Sequence, residues 1–169
     1  MPELQRLHPD HLAALLTFEQ ENRAYFAASV PDRGDAYFAD FAGRLAALLT
    51  EQAEGICHFH VLVDTNGEIL GRFNLMDAAD GSADLGFRVA EKAARRGLAT
   101  ATVLHLCTLA ATEYGLTTLR AAAALDNTAS RTVLTRAGFV PTGEEVRLSG
   151  RPGSGYVRDL SRGPEGWAR

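Results

Sequence analysis

The chain has little cysteine, no long apolar run and no excess of positive charge, and each of these features excludes a class of protein. Its 169 residues include only two cysteines, Cys57 and Cys107, in segments that resemble the start of a strand and the middle of a helix. Neither belongs to a CxxC or another ligand spacing. We therefore expect two reduced thiols in the core rather than a disulfide or a metal site.

Charge and hydropathy narrow the possible partners. The net charge of −4 provides no overall basic field for nucleic acid, although the pair Arg95 and Arg96 is locally basic. No apolar run approaches the roughly 18 to 20 residues that cross a bilayer. The first residues, MPELQRLHPD, lack the basic start and apolar core of a signal peptide. We expect a cytoplasmic protein that binds neither nucleic acid nor membrane.

The composition is that of one ordinary globular domain. Hydrophobic residues make up 46% of the chain and charged residues 22%, close to the average for soluble proteins. A chain of this length can bury one substantial core but not two. We expect a single domain over residues 1–162 and a flexible tail over residues 163–169.

The first third of the chain predicts a short strand and two helices. A strand around Leu4 is followed by Pro9 and Asp10, which indicate a stop and an N-cap for a helix over residues 11–26. In that helix Leu15 and its apolar neighbours face one side, and Glu19 faces the other. A second helix is predicted over residues 35–53, ending at Gly55.

The period then changes to that of strands. CHFHVLV and EILGRFNLM flank Asn66 and Gly67, a strong signal for an antiparallel hairpin. The elements that follow are a loop over 77–82, a strand over 83–89, a helix over 97–114, a strand over 117–125, a helix over 127–137, a strand over 139–146, and a hairpin through 150–155 with an end strand. This order predicts an α/β (α+β) fold, a mixed sheet of about seven strands with helices on both faces. The crossover from 83–89 to 117–125 should be right-handed with parallel strands.

The stretch EKAARRGLATAT places Arg95, Arg96 and Gly97 where a strand runs into a helix. The first amide groups of a helix have no intrahelical partner and together attract an anion, above all phosphate. Arginines suit this positive helix end poorly unless an anion binds there, and the alternative is a solvated turn. Neither GxxxxGK[ST] nor GxGxxG is present, so the two common nucleotide loops are excluded.

Two blocks resemble the GNAT superfamily of acyl-CoA-dependent N-acetyltransferases. Residues 94–99 resemble its [Q/R]xxGx[G/A] signature, with Ala94 in place of Gln or Arg, and residues 127–139 resemble NxxSxxxxxxxGF. The long first helical pair, LGRF at 70–73 and ADLGF at 83–87 are similar to the RimJ/RimL-like ribosomal-protein branch. The resemblance is close over residues 83–139 and rests on topology elsewhere.

The resemblance implies acetyl-CoA as co-substrate. In this family the pantetheine arm lies in a gap between the fourth and fifth strands, and the pyrophosphate lies on the arginine-glycine turn. The implied coenzyme-binding residues are Phe87, Arg88, Val89, Arg95, Arg96, Gly97, Leu98, Ala99, Thr100, Asn127 and Ser130.

Amine attack on a thioester needs a neutral amine, a donor to the oxyanion and a proton for the thiolate. Asp84 is the candidate base, because relatives often carry Glu there; a solvated strand-end carboxylate is the alternative. The amide of Val89 is the candidate oxyanion donor. Leu134 stands where many members carry Tyr, so Tyr156 becomes a candidate acid, with a packing role as the alternative. His60 is a candidate for lining the substrate site or for relaying a proton.

His58 and His60 face the same way on a strand, but no third ligand has suitable spacing, so we expect no metal site. His105 is expected to be a core or half-buried histidine.

The resemblance places the acceptor amine between residues 25–37 and 147–155. Acidic residues there could attract a cationic amine: Asp32, Asp35, Glu144 and Glu145. A protein N-terminus, ribosomal or other, a free amino acid, a polyamine and an aminoglycoside all stay open as acceptors. So do a monomer or a homodimer, and a non-catalytic acyl-CoA-binding or interaction module.

Overall fold

The computed structural model describes residues 1–161. The strands are β1 (Glu3–Arg6), β2 (His58–Val63), β3 (Ile69–Ala79), β4 (Ser82–Val89), β5 (Thr118–Ala124), β6 (Val140–Leu148) and β7 (Arg151–Asp159). The α-helices are α1 (Leu12–Glu21), α2 (Arg23–Ala27), α3 (Asp35–Ala39), α4 (Phe41–Ala53), α5 (Leu98–Thr112) and α6 (Thr128–Arg136), with 3-10 turns at Pro9–His11 and Glu91–Ala93. The tail predicted over 163–169 lies outside the described residues.

The seven strands form one mixed sheet in the order β1-β2-β3-β4-β5-β7-β6. Neighbouring strands are antiparallel except β4 and β5, which are parallel and joined through α5. These two pair only where residues 82–84 meet residues 118–120. Beyond Asp84 they separate, so the predicted mixed sheet and its gap between the fourth and fifth strands are both confirmed.

Helices pack on both faces of the sheet, as the element order predicts. Arg72 of β3 contacts Glu19 of α1, whereas His60 of β2 contacts Tyr114 just after α5. His60 lies opposite Phe73, the residue next to Arg72, and neighbouring residues of a strand point to opposite faces. Therefore α1 and α5 lie on opposite faces. The side chains that fill the core around the sheet include Leu15, Phe18, Phe73, Val103, Leu106 and Leu119, all 2% exposed or less.

The two long N-terminal helices of the sequence prediction are each interrupted. The first breaks at Asn22, whose carboxamide donates to the carbonyl of Phe18 and accepts the amide of Glu91. The second breaks at Asp40, between α3 and α4. The predicted cap at Asp10 is wrong, because the helix is preceded by a 3-10 turn that the His8 side chain caps.

Two predicted loops are shorter than expected. The strand β3 runs through Asp77 to Ala79, so the turn into β4 is only Asp80 and Gly81. The last hairpin turns at residues 149 and 150, which leaves Gly153 inside β7. A Cβ at Gly153 would lie 2.8 Å from the carbonyl oxygen of Ala123, so this glycine permits close pairing with β5 and does not mark a turn.

Three further predictions concern burial. Cys57 and Cys107 are buried free thiols, as predicted, and burial raises the pKa of each. His105 is exposed on α5, so the prediction of a core or half-buried histidine is wrong. Glu19, predicted on the solvent face, is 1% exposed.

No helix within residues 1–161 is long and apolar enough to cross a membrane.

Candidate functional site

The separation of β4 from β5 opens a cleft of about 360 Å³. One wall is residues 85–87 of β4, and the other is the four alanines 121–124 of β5, whose small side chains leave the space between the strands open. The start of α6, the loop after α2 and the turn between β6 and β7 complete the lining with Asn127, Ser130, Ser29, Val30, Pro31, Arg147, Leu148, Ser149 and Arg151.

The backbone of β4 offers hydrogen-bonding groups to this cleft. The amide of Ala90 donates to the carbonyl of Leu70 in β3, so the even-numbered backbone groups at this end of β4 face β3. Backbone groups alternate along a strand, and therefore the N–H and C=O of Phe87 and Val89 face the cleft. Arg88 was also predicted to bind the coenzyme, but its backbone N–H and C=O face β3. The side chain of Phe87 stacks on Phe73, with ring centroids 5.9 Å apart.

The turn beyond β4 has the geometry of an anion site. Arg95 and Gly97 have positive φ values of 62° and 75°, and Gly97 is the N-cap of α5 with no side-chain cap. The amide of Ala101 donates to the carbonyl of Gly97, so the preceding amides of Leu98, Ala99 and Thr100 lie in the unsatisfied first turn. A Cβ at Gly97 would meet no atom within 4 Å, so a side chain would have space here. Glycine is favoured at this position because the backbone has a positive φ.

The second sequence block forms the start of α6. Asn127 is the N-cap, and its side-chain oxygen accepts the amide of Ser130 at 3.1 Å. Both residues line the cleft, as the coenzyme prediction requires. Leu134, at the position where many relatives carry Tyr, is fully buried in the core.

The three candidate catalytic residues lie in different places. Asp84 is at the point where β4 and β5 separate and forms an ion pair with Arg120 at 2.9 Å. Tyr156 is buried opposite Ala121 of the cleft wall, and its hydroxyl accepts a long hydrogen bond of 3.4 Å from Arg131 of α6. Their catalytic roles stay predictions.

His60 does not reach the cleft, because β3 separates its strand from β4. Its ring hydrogen-bonds the Tyr114 hydroxyl at 2.6 Å, and His58 stacks on the Tyr114 ring with centroids 3.8 Å apart. Burial, followed by the nearby charge of Arg6, lowers the pKa of His60 to about 4. Within residues 1–161 no group of three His, Cys, Asp or Glu side chains is placed to hold a metal.

Two of the four acidic residues expected to attract a cationic acceptor form ion pairs. Arg23 binds Asp32 at 2.7 Å and Asp35 at 2.8 Å, and its hydrogen bond lowers the pKa of Asp32 to about 2. Glu144 and Glu145 are exposed on β6 and do not line the cleft. Arg151 of β7 links two loops at the edge of the cleft, because it donates to the carbonyl of Ser29 and to the carboxylate of Asp126.

Sequence reasoning missed the buried ion pair between Glu19 and Arg72, whose side chains meet at 2.7 Å. The signal in the sequence was an arginine within the apolar strand LGRFNLM, which has to find a partner when it is buried.

Comparison with known proteins identifies the type of domain. Residues 3–140 match the acetyltransferase (GNAT) domain family. No curated protein matches the chain at the level of sequence.

Solved structures share the fold at low identity. The ribosomal-protein-S5-alanine acetyltransferase from Vibrio fischeri is 18% identical with a TM-score of 0.88, over 96% of this chain and 95% of that one. RimJ from Mycobacterium smegmatis, in complex with CoA-disulfide, is 20% identical with a TM-score of 0.83, over 98% and 83%. A mutant of the spermidine N-acetyltransferase SpeG from Vibrio cholerae is 15% identical with a TM-score of 0.74, over 94% and 95%. At these identities the likeness establishes the fold alone.

Proposed function

Because the chain belongs to the acetyltransferase (GNAT) domain family, we propose that it transfers the acetyl group of acetyl-CoA to a primary amine, which attacks the thioester directly. One observation carries the proposal. Strand β4, whose backbone groups line the cleft, leads at its carboxyl end into the start of α5, which no side chain caps. A site of this shape suits a ligand that is extended at one end and anionic at the other.

The residues of the turn and of β4 divide the binding of the coenzyme between them. The first amides of α5, from Leu98 to Thr100, bind the pyrophosphate, and Arg95 and Arg96 add charge-assisted contacts. Phe87 and Val89 pair through their backbone with the pantetheine arm, in the manner of an added strand. Asn127 and Ser130 support the arm from the side of α6.

The coenzyme supplies an activated acetyl group, and the protein supplies positioning and proton transfer. The amide of Val89, turned into the cleft, stabilises negative charge on the carbonyl oxygen. Asp84 lies five residues before Val89 on β4, roughly 16 Å along the strand, so it accepts the proton of the amine through intervening water. Tyr156 is the candidate proton donor, although a thiol with a pKa near 8.5 can also leave unassisted. His60 takes no part, because it lies beyond β3.

The test begins with a calorimetric titration of the purified protein with acetyl-CoA, using ATP and NAD as controls at moderate salt. We expect selective binding of acetyl-CoA at micromolar strength, followed by release of free CoA in the presence of amines. Equal binding of all three nucleotides, or none, would reject the coenzyme site.

The acceptor is either a protein N-terminus or a small-molecule amine. Solved structures of this fold include both ribosomal-protein and spermidine acetyltransferases, so the fold itself does not choose. The second candidate function is a non-catalytic acyl-CoA-binding module, which Leu134 in place of the usual Tyr favours. Tight acetyl-CoA binding with no CoA release for any class of amine would select the module.

A further inference from the structure

A cluster of charges on the α1 face of the sheet is not balanced. Glu19 of α1 is 1% exposed and Arg72 of β3 is 6% exposed. Arg88 of β4 lies opposite Arg72 in the sheet and approaches the other oxygen of Glu19 at 3.4 Å. One buried carboxylate therefore faces two guanidinium groups.

The surplus charge belongs to Arg88. Glu19 is closer to Arg72, at 2.7 Å, and Arg72 also donates to the Tyr37 hydroxyl at 3.2 Å. Although burial opposes it, Glu19 raises the pKa of Arg72. The pKa of Arg88 is lowered instead, first by burial, and also by Arg33 and Arg72, against the pull of Glu19. A partly buried cation without its own counter-ion is costly, so an anionic ligand would stabilise it.

Arg88 stands beside the cleft. Its neighbours Gly86 and Phe87 line the cleft, and its guanidinium lies 4.6 Å from the centre of the Phe26 ring in α2. The loop that follows α2 reaches the cleft at Ser29 and carries Arg33, which lies over the Tyr37 ring at 5.1 Å. Arg88 thus follows two cleft-lining residues in β4, and its side chain lies against α1 and α2, next to the loop where the acceptor is proposed to enter.

The other charges on this side are of both signs: Glu144 and Glu145 of β6 are exposed and form no ion pair among residues 1–161. Asp32 and Asp35 are bound to Arg23, and Asp126 is bound to Arg151. Arg147 lines the cleft and donates to the carbonyl of Gly150. Neither Arg147 nor Arg33 has a carboxylate partner among residues 1–161. The positive excess is therefore local to Arg88, which lies close to Arg72 and Arg33 and shares the carboxylate of Glu19 unequally with Arg72, and such an excess attracts an anionic group.

We propose that the acceptor amine carries a carboxylate, and that Arg88, assisted by Arg33, binds it. The inference rests on the proposed function, because it assigns the acceptor of the same site. Two sources supply this chemistry: the α-carboxylate of a free amino acid, and an acidic side chain near a peptide N-terminus. Arginine suits either, since its planar fork can hold a carboxylate with two hydrogen bonds.

The experiment compares acceptors that differ only in charge. For the peptide source, seryl-aspartyl-alaninamide is compared with seryl-asparaginyl-alaninamide; for the free amino acid, alanine is compared with alaninamide; spermidine is the cationic acceptor. We expect kcat/KM to favour the carboxylate of at least one pair by about tenfold or more, the scale of a charge-assisted contact. Spermidine should be the poorest acceptor. Equal rates within both pairs, or a preference for spermidine, would overturn the inference.

Two arginine variants then test which side chains bind the carboxylate of the acceptor. In Arg88→Gln and in the exposed-site variant Arg33→Gln, the ratio of kcat/KM between carboxylate and amide should fall toward one. The matched control Arg136→Gln, an exposed arginine at the far end of α6, should keep the wild-type ratio. An unchanged ratio in Arg33→Gln and in a folded Arg88→Gln protein would refute the assignment. If Arg88→Gln does not fold, Arg33→Gln alone decides.

A binding measurement separates this inference from the proposed function. The same acceptor pairs are titrated calorimetrically into the protein with and without CoA. Absence of coenzyme binding would overturn the proposed function. Absence of any preference for the carboxylate, in both titrations, would overturn the carboxylate site whether or not the protein is catalytic.

Discussion

Replacement of Gly97 by glutamate tests the coenzyme turn most directly. The new side chain would stand at the start of α5, beside three amides without intrahelical partners, and would place a negative charge where the pyrophosphate is proposed to bind. A Cβ at this position meets no protein atom within 4 Å, so the change adds bulk toward the ligand and not within the protein.

The cost to folding should be small and the cost to binding large. A residue other than glycine at φ 75° costs roughly 1–2 kcal/mol, which lowers the melting temperature by a few degrees in a chain of this size. Hydrogen bonds to a charged group contribute about 1.5–3 kcal/mol each. Loss of one or two of them, together with repulsion between like charges, should weaken acetyl-CoA binding by about 100-fold or more.

Gly115 supplies the matched control. It also has a positive φ, 63°, and a Cβ there meets no atom within 4 Å, but it lies beyond the opposite end of α5. Gly115→Glu should therefore lose similar stability and keep wild-type affinity in calorimetry. If Gly97→Glu binds acetyl-CoA within about threefold of Gly115→Glu, the turn does not hold the pyrophosphate.

Other changes test the remaining parts of the molecule. Asp84→Asn should lower kcat by about 100-fold without changing KM for acetyl-CoA, because a general base contributes on that scale. Arg120→Gln breaks the same ion pair but keeps the carboxylate, and should lose less than about tenfold; equal losses would deny Asp84 the role of base. Glu19→Gln should cost roughly 3 kcal/mol or more in urea unfolding, since it leaves Arg72 buried without its counter-ion, whereas the exposed Glu113→Gln should cost less than about 0.5 kcal/mol. His60 has a pKa of about 4 in the folded protein, below the value of about 6.5 in the unfolded chain, so protonation favours unfolding. Between pH 6.5 and pH 4.5 the wild type should lose roughly 2–3 kcal/mol that His60→Gln does not lose; equal losses would show that His60 titrates normally.

Local patterns were sufficient for most elements of this fold. The Asn66-Gly67 turn, the 3.6-residue periodicity of the helices and the glycine stops after α4, α5 and α6 act within a few residues, so the sequence displays them directly. The errors came from longer-range contacts. Gly153 looked like a turn residue because its reason, the close approach of Ala123 on β5, is 30 positions away in the chain.

The local geometry of the two segments proposed to bind the coenzyme could also be predicted, because a short motif sets the conformation of each. Gly97 at positive φ and Asn127 as the cap of α6 are local properties of GLA and NTAS. By contrast, His60 appeared to be a candidate wall of the site, and only the strand order placed it beyond β3, against Tyr114.

The sequence by itself determined the mixed sheet, the glycine turn at the start of α5 and the family to which the chain belongs. Tertiary structure alone decided which charged side chains have a counter-ion. Asp32 and Asp35 share one counter-ion, Arg23 of α2, whereas Glu19 is divided between two arginines from neighbouring strands. The charge of a side chain follows from its type, but its counter-ion depends on distances between residues that are far apart in the chain.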